Sequence, residues 1–312
     1  MGQLDPHTIS TVGIIGGGTI GASWAAYYLS RGLTVIVVDP FVEPAKLEAT
    51  IRQMWQHLES LGLPPQANRE NLAIYQEINA SLEKVDVVQE CCPEKLALKH
   101  QILAELERVV APHVPIISST SSLMASDIQS ECRYGERVLV GHPFNPPHLL
   151  PLVEVVGGQK TSPEVIEWAL DFYRWIGKVP VHVKKEAPGH IANRLTAALY
   201  REAVHIVTEG IGSVADVDSA ITNGPGLRWA LMGPHLIYHL GGGEGGIRHY
   251  LEHLGTAQEN RWQSLGSPHL DEATKQKLID GVEALVGDQS ITELSQQRDE
   301  KLVKLLQLLR LA

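Results

Sequence analysis

Four polar side chains stand out by type and position: Ser121 in SSTSSL, His142 and Glu154 in GHPFNPPHLLPLVEVVGG, and Asn193 in APGHIANRL. His142 closes an apolar run and enters a loop stiffened by Pro143, Pro146, Pro147 and Pro151, while Glu154 is a single carboxylate inside LVEVV. A neutral imidazole accepts a proton near neutral pH, a carboxylate beside it steadies the resulting cation, and hydroxyl and amide donors hold an oxygen whose bonding changes. Together they suit hydride removal from an alcohol carbon, given a hydride acceptor. Each also has a plain alternative: a structural loop histidine, an edge or salt-bridge glutamate, a helix-capping serine, and an asparagine bonded to its own helical turn.

The acceptor is supplied upstream. VGIIGGGTIGASWAAYYLSRGLTVIVVD reads as a strand, a glycine turn, a helix and a second strand ending in an acid. Gly16 permits the tight turn, Gly18 lets backbone approach a pyrophosphate, and Gly21 lets the helix pack close to the strand, with Gly17, Thr19 and Ile20 completing the phosphate-facing turn. The helix N-terminus offers free N–H groups and a positive dipole end to phosphate. Asp39 lies 18 residues beyond Gly21, where a carboxylate accepts bonds from ribose hydroxyls and repels a 2′-phosphate. NAD is therefore expected over NADP.

The elements that must hold these groups alternate. Short β-branched runs at 11–15, 34–39, 85–90, 115–119, 138–142, 151–156 and 179–183 are separated by helical stretches such as 19–30 and 95–110. That pattern predicts an α/β fold with a doubly wound, parallel sheet of Rossmann type. Residues 43–80 are expected to form a helical pair. Beyond Val183 the spacing turns helical, with Ile191, Leu195, Ala198, Leu199 and Ile206 on one face. Ser213 is expected to cap a helix with Asp216 in its first turn. A boundary near Ala187–Pro188 gives a nucleotide-binding unit over 1–186 and an all-α unit over 187–312.

Bulk properties exclude several classes. At 312 residues, 44% hydrophobic and 20% charged, the chain has the composition of a globular protein. A net charge of -10 argues against nucleic-acid and anionic-membrane partners. No apolar run is long enough to span a membrane, and MGQLDPHTIS lacks the features of a signal peptide. Cys91, Cys92 and Cys132 form neither a disulfide framework nor a metal spacing, so reduced thiols, a cytoplasmic location and no metal are expected.

Taken together, VGIIGGGTIG, SSTSSL, GHPFNPPHLLPLVEV, PGHIANRL and the MGP at 232–234 resemble the 3-hydroxyacyl-CoA dehydrogenase family, in that family's order and through nearly the whole chain. The resemblance implies an NAD-binding Rossmann domain joined to a helical domain that dimerises. It also implies His142 and Glu154 as the catalytic pair, Ser121 and Asn193 as oxygen-binding groups, and Glu94 and Lys99, in ECCPEKLALK, near the cofactor. Ser119 stands where many members have Asn, a departure expected to tune cofactor contacts.

The substrate is less sharply written. NGPGLRWALMGPHLIYHLGGGEGGIRHYLEHLG most resembles the family's carnitine dehydrogenase branch, with acyl-CoA and gulonate dehydrogenases as alternatives, and a structural, crystallin-like NAD-binding role as a third. The 43–80 segment offers Lys46, Arg52 and Arg69 against Glu43, Glu48, Glu59, Glu70 and Glu77, a poor seat for the phosphates of CoA. Trp229 and Tyr238 could face a trimethylammonium group and Arg228 a carboxylate, although plain helix packing accounts for each equally well. The glycines at 241–246 read either as a mobile loop or as an interhelical turn.

Overall fold

The computed structural model describes residues 5–310, excepting the Arg310 side chain. They form two compact units, residues 5–193 with 297–310, and Arg194–Gln296.

The first unit carries eight strands: β1 (Thr11–Ile15), β2 (Thr34–Val38), β3 (Leu72–Tyr75), β4 (Val87–Glu90), β5 (Ile116–Ser118), β6 (Val138–Pro143), β7 (Leu152–Gly157) and β8 (Val179–His182). Their order across one sheet is β3-β2-β1-β4-β5-β6-β7-β8. The helices are α1 (Thr19–Ser30), α2 (Pro44–Leu61), α3 (Leu96–Val109), α4 (Ala125–Ile128) and α5 (Pro163–Trp175). Alternating side chains feed two cores. Val12, Ile14, Val35 and Val37 meet Trp24, Tyr28, Phe172 and Tyr173 of α1 and α5 on one face. On the other, Ile15, Val38, Val138 and Val140 meet Leu103 and Leu106 of α3. A sheet covered on both faces is why its strands read as continuous apolar runs.

Two expectations need correction. The 43–80 segment is not a helical pair: it holds one helix, α2, then β3 at the sheet edge, paired parallel to β2. The sheet is not parallel throughout. β6 and β7 are antiparallel, with His142 directly opposite Glu154, and β8 runs parallel to β7. The link from Phe144 to Pro151 is too short for the helical crossover that parallel neighbours need, so the chain turns back.

The remaining helices are α6 (Ala192–Thr208), α7 (Val214–Asn223), α8 (Pro225–Trp229), α9 (Pro234–Gly241), α10 (Gly246–Gln263), α11 (Glu272–Val286) and α12 (Ile291–Arg310). Within the second unit α7 packs on α8 and α11, and α9 on α10. Ser213 and Asp216 form a reciprocal capping box at the start of α7. Residues 241–246 are a compact turn: Ile247 N–H donates to His239 Nδ1 at 3.1 Å, and a short 3-10 segment spans Gly243–Gly245. Residues 187–193 and the end of α12 group with the first unit. The physical ties are local. Ile191 and Ala192 donate their amides to Glu154, and Gln307 Nε2 donates to the Ser60 carbonyl at 2.5 Å. Near that end, His57, His148 and Asp299 cluster, the two rings meeting at 3.2 Å and Arg298 holding the carboxylate.

Candidate active site

The nucleotide side is built at the carboxyl ends of β1, β2, β4 and β5. Gly16 N–H donates to Val38 O, Cys91 N–H to Ile15 O and Ser119 N–H to Glu90 O, so the post-strand turns are laced to their neighbouring strands. A Cβ on Gly21 would lie 1.8 Å from the Gly16 carbonyl oxygen, so only glycine lets α1 start this close to the turn. At Gly18 a Cβ would meet nothing within 4 Å, and no side chain caps α1. No side chain competes for the first-turn amides, and backbone can approach a phosphate closely at Gly18. The Asp39 carboxylate accepts from Gly17 N–H at 2.7 Å and from Phe41 and Val42 N–H at 2.8 and 3.0 Å. Its oxygens retain acceptor capacity for ribose hydroxyls. These residues fit a dinucleotide.

Glu94 and Lys99 separate in role. Lys99 Nζ is buried and donates to both Glu90 oxygens (2.7 and 2.8 Å) and to the Cys92 carbonyl at 3.1 Å, fixing the 91–94 turn from below. Glu94 accepts from Thr120 Oγ1 at 2.6 Å and from Ser121 N–H and Oγ at 2.6 and 3.1 Å. Burial pushes its carboxyl up, but those three bonds and the Lys99 charge outweigh this and hold it below the usual range. Ser119 turns inward. Its Oγ accepts from Gln89 Nε2 at 2.8 Å, and Gln89 Oε1 accepts from Tyr28 and Tyr173.

His142 and Glu154 meet as the register dictates, since directly opposed residues of an antiparallel pair share a face. His142 Nδ1 lies 2.9 Å from Glu154 Oε2, and both side chains are buried. Glu154 Oε1 accepts from Ile191 N–H at 2.8 Å and Ala192 N–H at 2.9 Å, at the start of α6. Burial disfavours the Glu154 anion. The bonds from His142, Ala192 and Ile191 overcome that and leave its carboxyl below the usual range. A fixed anion thus holds one imidazole nitrogen, Nδ1. Asn193 follows in the first turn of α6 and is half-buried.

One further residue stands out only in the fold. His190 is 2% exposed, adopts φ 50°, and has its ring centroid 5.3 Å from that of His142. Neither ring nitrogen has a hydrogen bond of good geometry, and the Thr120 carbonyl stands close enough to act weakly on the ring. A buried polar group without a partner costs about 1–3 kcal/mol, and a left-handed residue other than glycine adds about 1–3 kcal/mol more. Burial first, and then the His142 charge, lower its basicity; Glu154, the nearby Thr120 carbonyl and Glu94 push weakly the other way. The Pro-Gly-His order ahead of α6 is its only mark in the sequence.

In the second unit, Arg228 lines a shallow, mostly apolar concavity with Leu231, Met232, Ile237 and Leu240. Trp229 is 43% exposed, and Tyr238 packs against Tyr250 with the rings tilted by 43° and their centroids 4.9 Å apart.

Comparison with known proteins agrees along the chain. The 3-hydroxyacyl-CoA dehydrogenase NAD binding domain model matches residues 11–187, and the C-terminal domain model of the same family matches 189–280. The L-carnitine dehydrogenase of Streptomyces griseus subsp. griseus is 42% identical over 96% of this chain and 90% of its own length. That of Bacillus cereus is 41% identical over 99% and 95%. Among solved structures, a 5-formyl-3-hydroxy-2-methylpyridine 4-carboxylic acid 5-dehydrogenase, an NAD+-dependent dismutase, superposes with a TM-score of 0.82 at 26% identity, covering 97% of this chain and 99% of that one. Fold and relatives define an NAD-dependent oxidoreductase that acts on a secondary alcohol. The chain belongs to the 3-hydroxyacyl-CoA dehydrogenase family.

Proposed function

We propose that the protein oxidises the hydroxyl of a small L-3-hydroxy acid to the 3-keto product, with L-carnitine as the substrate and His142–Glu154 as the base and its anchor. The observation that carries the mechanism is the 2.9 Å bond between His142 Nδ1 and a carboxylate whose other oxygen is held by two amides. Nε2 of His142 takes the hydroxyl proton, and Glu154 stabilises the imidazolium. When bound, NAD would supply the acceptor for the hydride that leaves the carbon bearing that hydroxyl. Ser121 and Asn193 hold the substrate oxygen, and Glu94 orients Ser121 through its bonds to the serine amide and hydroxyl.

The names of the relatives support carnitine. Against CoA stands the charge of the 43–80 segment, where Arg69 is already paired with Glu70 at 3.5 Å. Arg228, Trp229 and Tyr238 are assigned to the carboxylate and ammonium ends of the substrate. We further propose a homodimer in the cytoplasm. The second unit exposes Leu195 (59%), Leu240 (59%), Leu251 (59%) and Trp262 (59%), more apolar surface than a lone helical unit leaves open. No helix among the described residues is long and apolar enough to cross a membrane.

The test is NADH formation with L-carnitine, L-gulonate, 3-hydroxybutyrate and 3-hydroxybutyryl-CoA. Turnover of L-carnitine at the highest kcat/KM is expected. Activity confined to the thioester would replace the substrate, and inactivity on all four would remove the enzymatic reading.

A further inference from the structure

His190 is the one buried histidine of the first unit whose ring nitrogens both lack a partner among the described residues. The other buried rings are engaged: His142 by Glu154, and His148 by Ser23 at 2.8 Å and His57 at 3.2 Å. Its place is also singular. Its ring leans on His142 at 5.3 Å with the planes tilted by 47°. It immediately precedes Ile191 and Ala192, whose amides hold Glu154, and the Thr120 carbonyl stands beside its ring. A chain that keeps an unsatisfied imidazole here, in a backbone conformation that L residues rarely adopt, has left a hydrogen bond to be completed by something that enters.

Distance says what that is. An oxygen bonded at about 2.8 Å to an imidazole nitrogen lies about 4 Å from that ring's centroid. Rings 5.3 Å apart can therefore share one oxygen between them. We infer that His190 is a substrate-binding residue: its uncharged ring donates an N–H to the reacting oxygen, alcohol in one direction and carbonyl in the other, while His142 exchanges the proton. The division of labour follows from the partners. His142 has the carboxylate that makes its cation tolerable, and His190 has none. A second cation beside the first is further disfavoured by the first. A neutral imidazole donates without competing for the hydroxyl proton, and it polarises the ketone on the return reaction.

This inference rests on the function proposed above, and the experiment separates the two. His190→Phe keeps a flat ring and removes both nitrogens; His190→Gln returns a donor near the outer ring position. With the best substrate of the four-alcohol screen, His190→Phe is expected to lower kcat roughly 100-fold. NAD affinity by fluorescence titration and Tm should be unchanged, or Tm slightly raised, because an unsatisfied buried group is gone. His190→Gln should recover at least about tenfold of that loss. In protein labelled with 15N-histidine, adding the alcohol to the NADH-bound enzyme should move the His190 ring nitrogens, which retain neutral-ring shifts. A His190→Phe variant within twofold of the parent kcat overturns the inference, as does a loss of activity that tracks loss of NAD binding or of Tm. A parent enzyme idle on every alcohol instead takes down the reading of function.

Discussion

At the scale of single residues, the site is an exercise in which charges are given partners. Glu154 is buried yet anionic because three N–H groups converge on it. Glu154→Gln keeps the shape and removes the charge that steadies His142. A fall in kcat of about 10²–10⁴-fold is expected, with NAD binding retained, measured by steady-state NADH formation. The same carboxylate sets an acid limit. Its folded pKa is depressed, so its contribution to stability is complete above the unfolded value near 4.3 and disappears as pH falls through the lower folded value. Urea midpoints between pH 6 and pH 3 should fall less steeply for Glu154→Gln than for the parent. Lys99 and Glu90 are each 1% exposed. Lys99→Met strands a buried carboxylate and should cost about 3–5 kcal/mol. Adding Glu90→Gln should return much of that in chemical denaturation, since both charges are then gone.

At the scale of elements, the glycine turn makes two opposite demands. Gly21→Ala places a methyl group 1.8 Å from a carbonyl oxygen and should lower Tm by several degrees, at a cost of about 1–3 kcal/mol. Gly18→Ala fills open space, so Tm should hold while the NAD dissociation constant rises at least about tenfold by fluorescence titration. A Gly18→Ala enzyme with parental NAD affinity would remove that glycine from the phosphate site. Much of this element was legible in sequence, because glycines at these offsets between a strand and a helix suit a phosphate turn and little else. β3 was not legible: LAIY is short, on the sheet edge, and partly exposed along its length. Nor was the direction of β7, since an apolar run buried on both faces reads alike either way round. His142 and Glu154 could be paired from their spacing, yet the amides that hold Glu154, and His190 itself, come from a segment 36 or more residues beyond it. No periodicity reports an unsatisfied ring.

At the scale of the whole molecule, the helical unit is short of a core of its own. Its helices leave Leu195, Leu231, Leu251 and Trp262 at 59–67% exposure, and burial of such side chains is worth about 1.5–3 kcal/mol each. Light scattering should report twice the 34.2 kDa chain mass. Leu251→Glu should shift the population toward one copy and lower Tm, and an assembly unmoved by acidic substitutions on α6 and α10 would place the interface elsewhere. Here the sequence spoke of amphipathic helices but not of which faces remain open, because that depends on which helices pack together.

The chain enters the first unit twice, once over residues 5–193 and again from Gln297 onward, with Gln307 bonded back to Ser60. During synthesis the unit begun first is therefore the one completed last. At about 5–20 residues per second, the tail of α12 emerges tens of seconds after α2, which it joins through Gln307. Throughout that interval the nascent nucleotide fold waits with one flank uncovered, and the helical unit must form in the gap between its opening and closing segments.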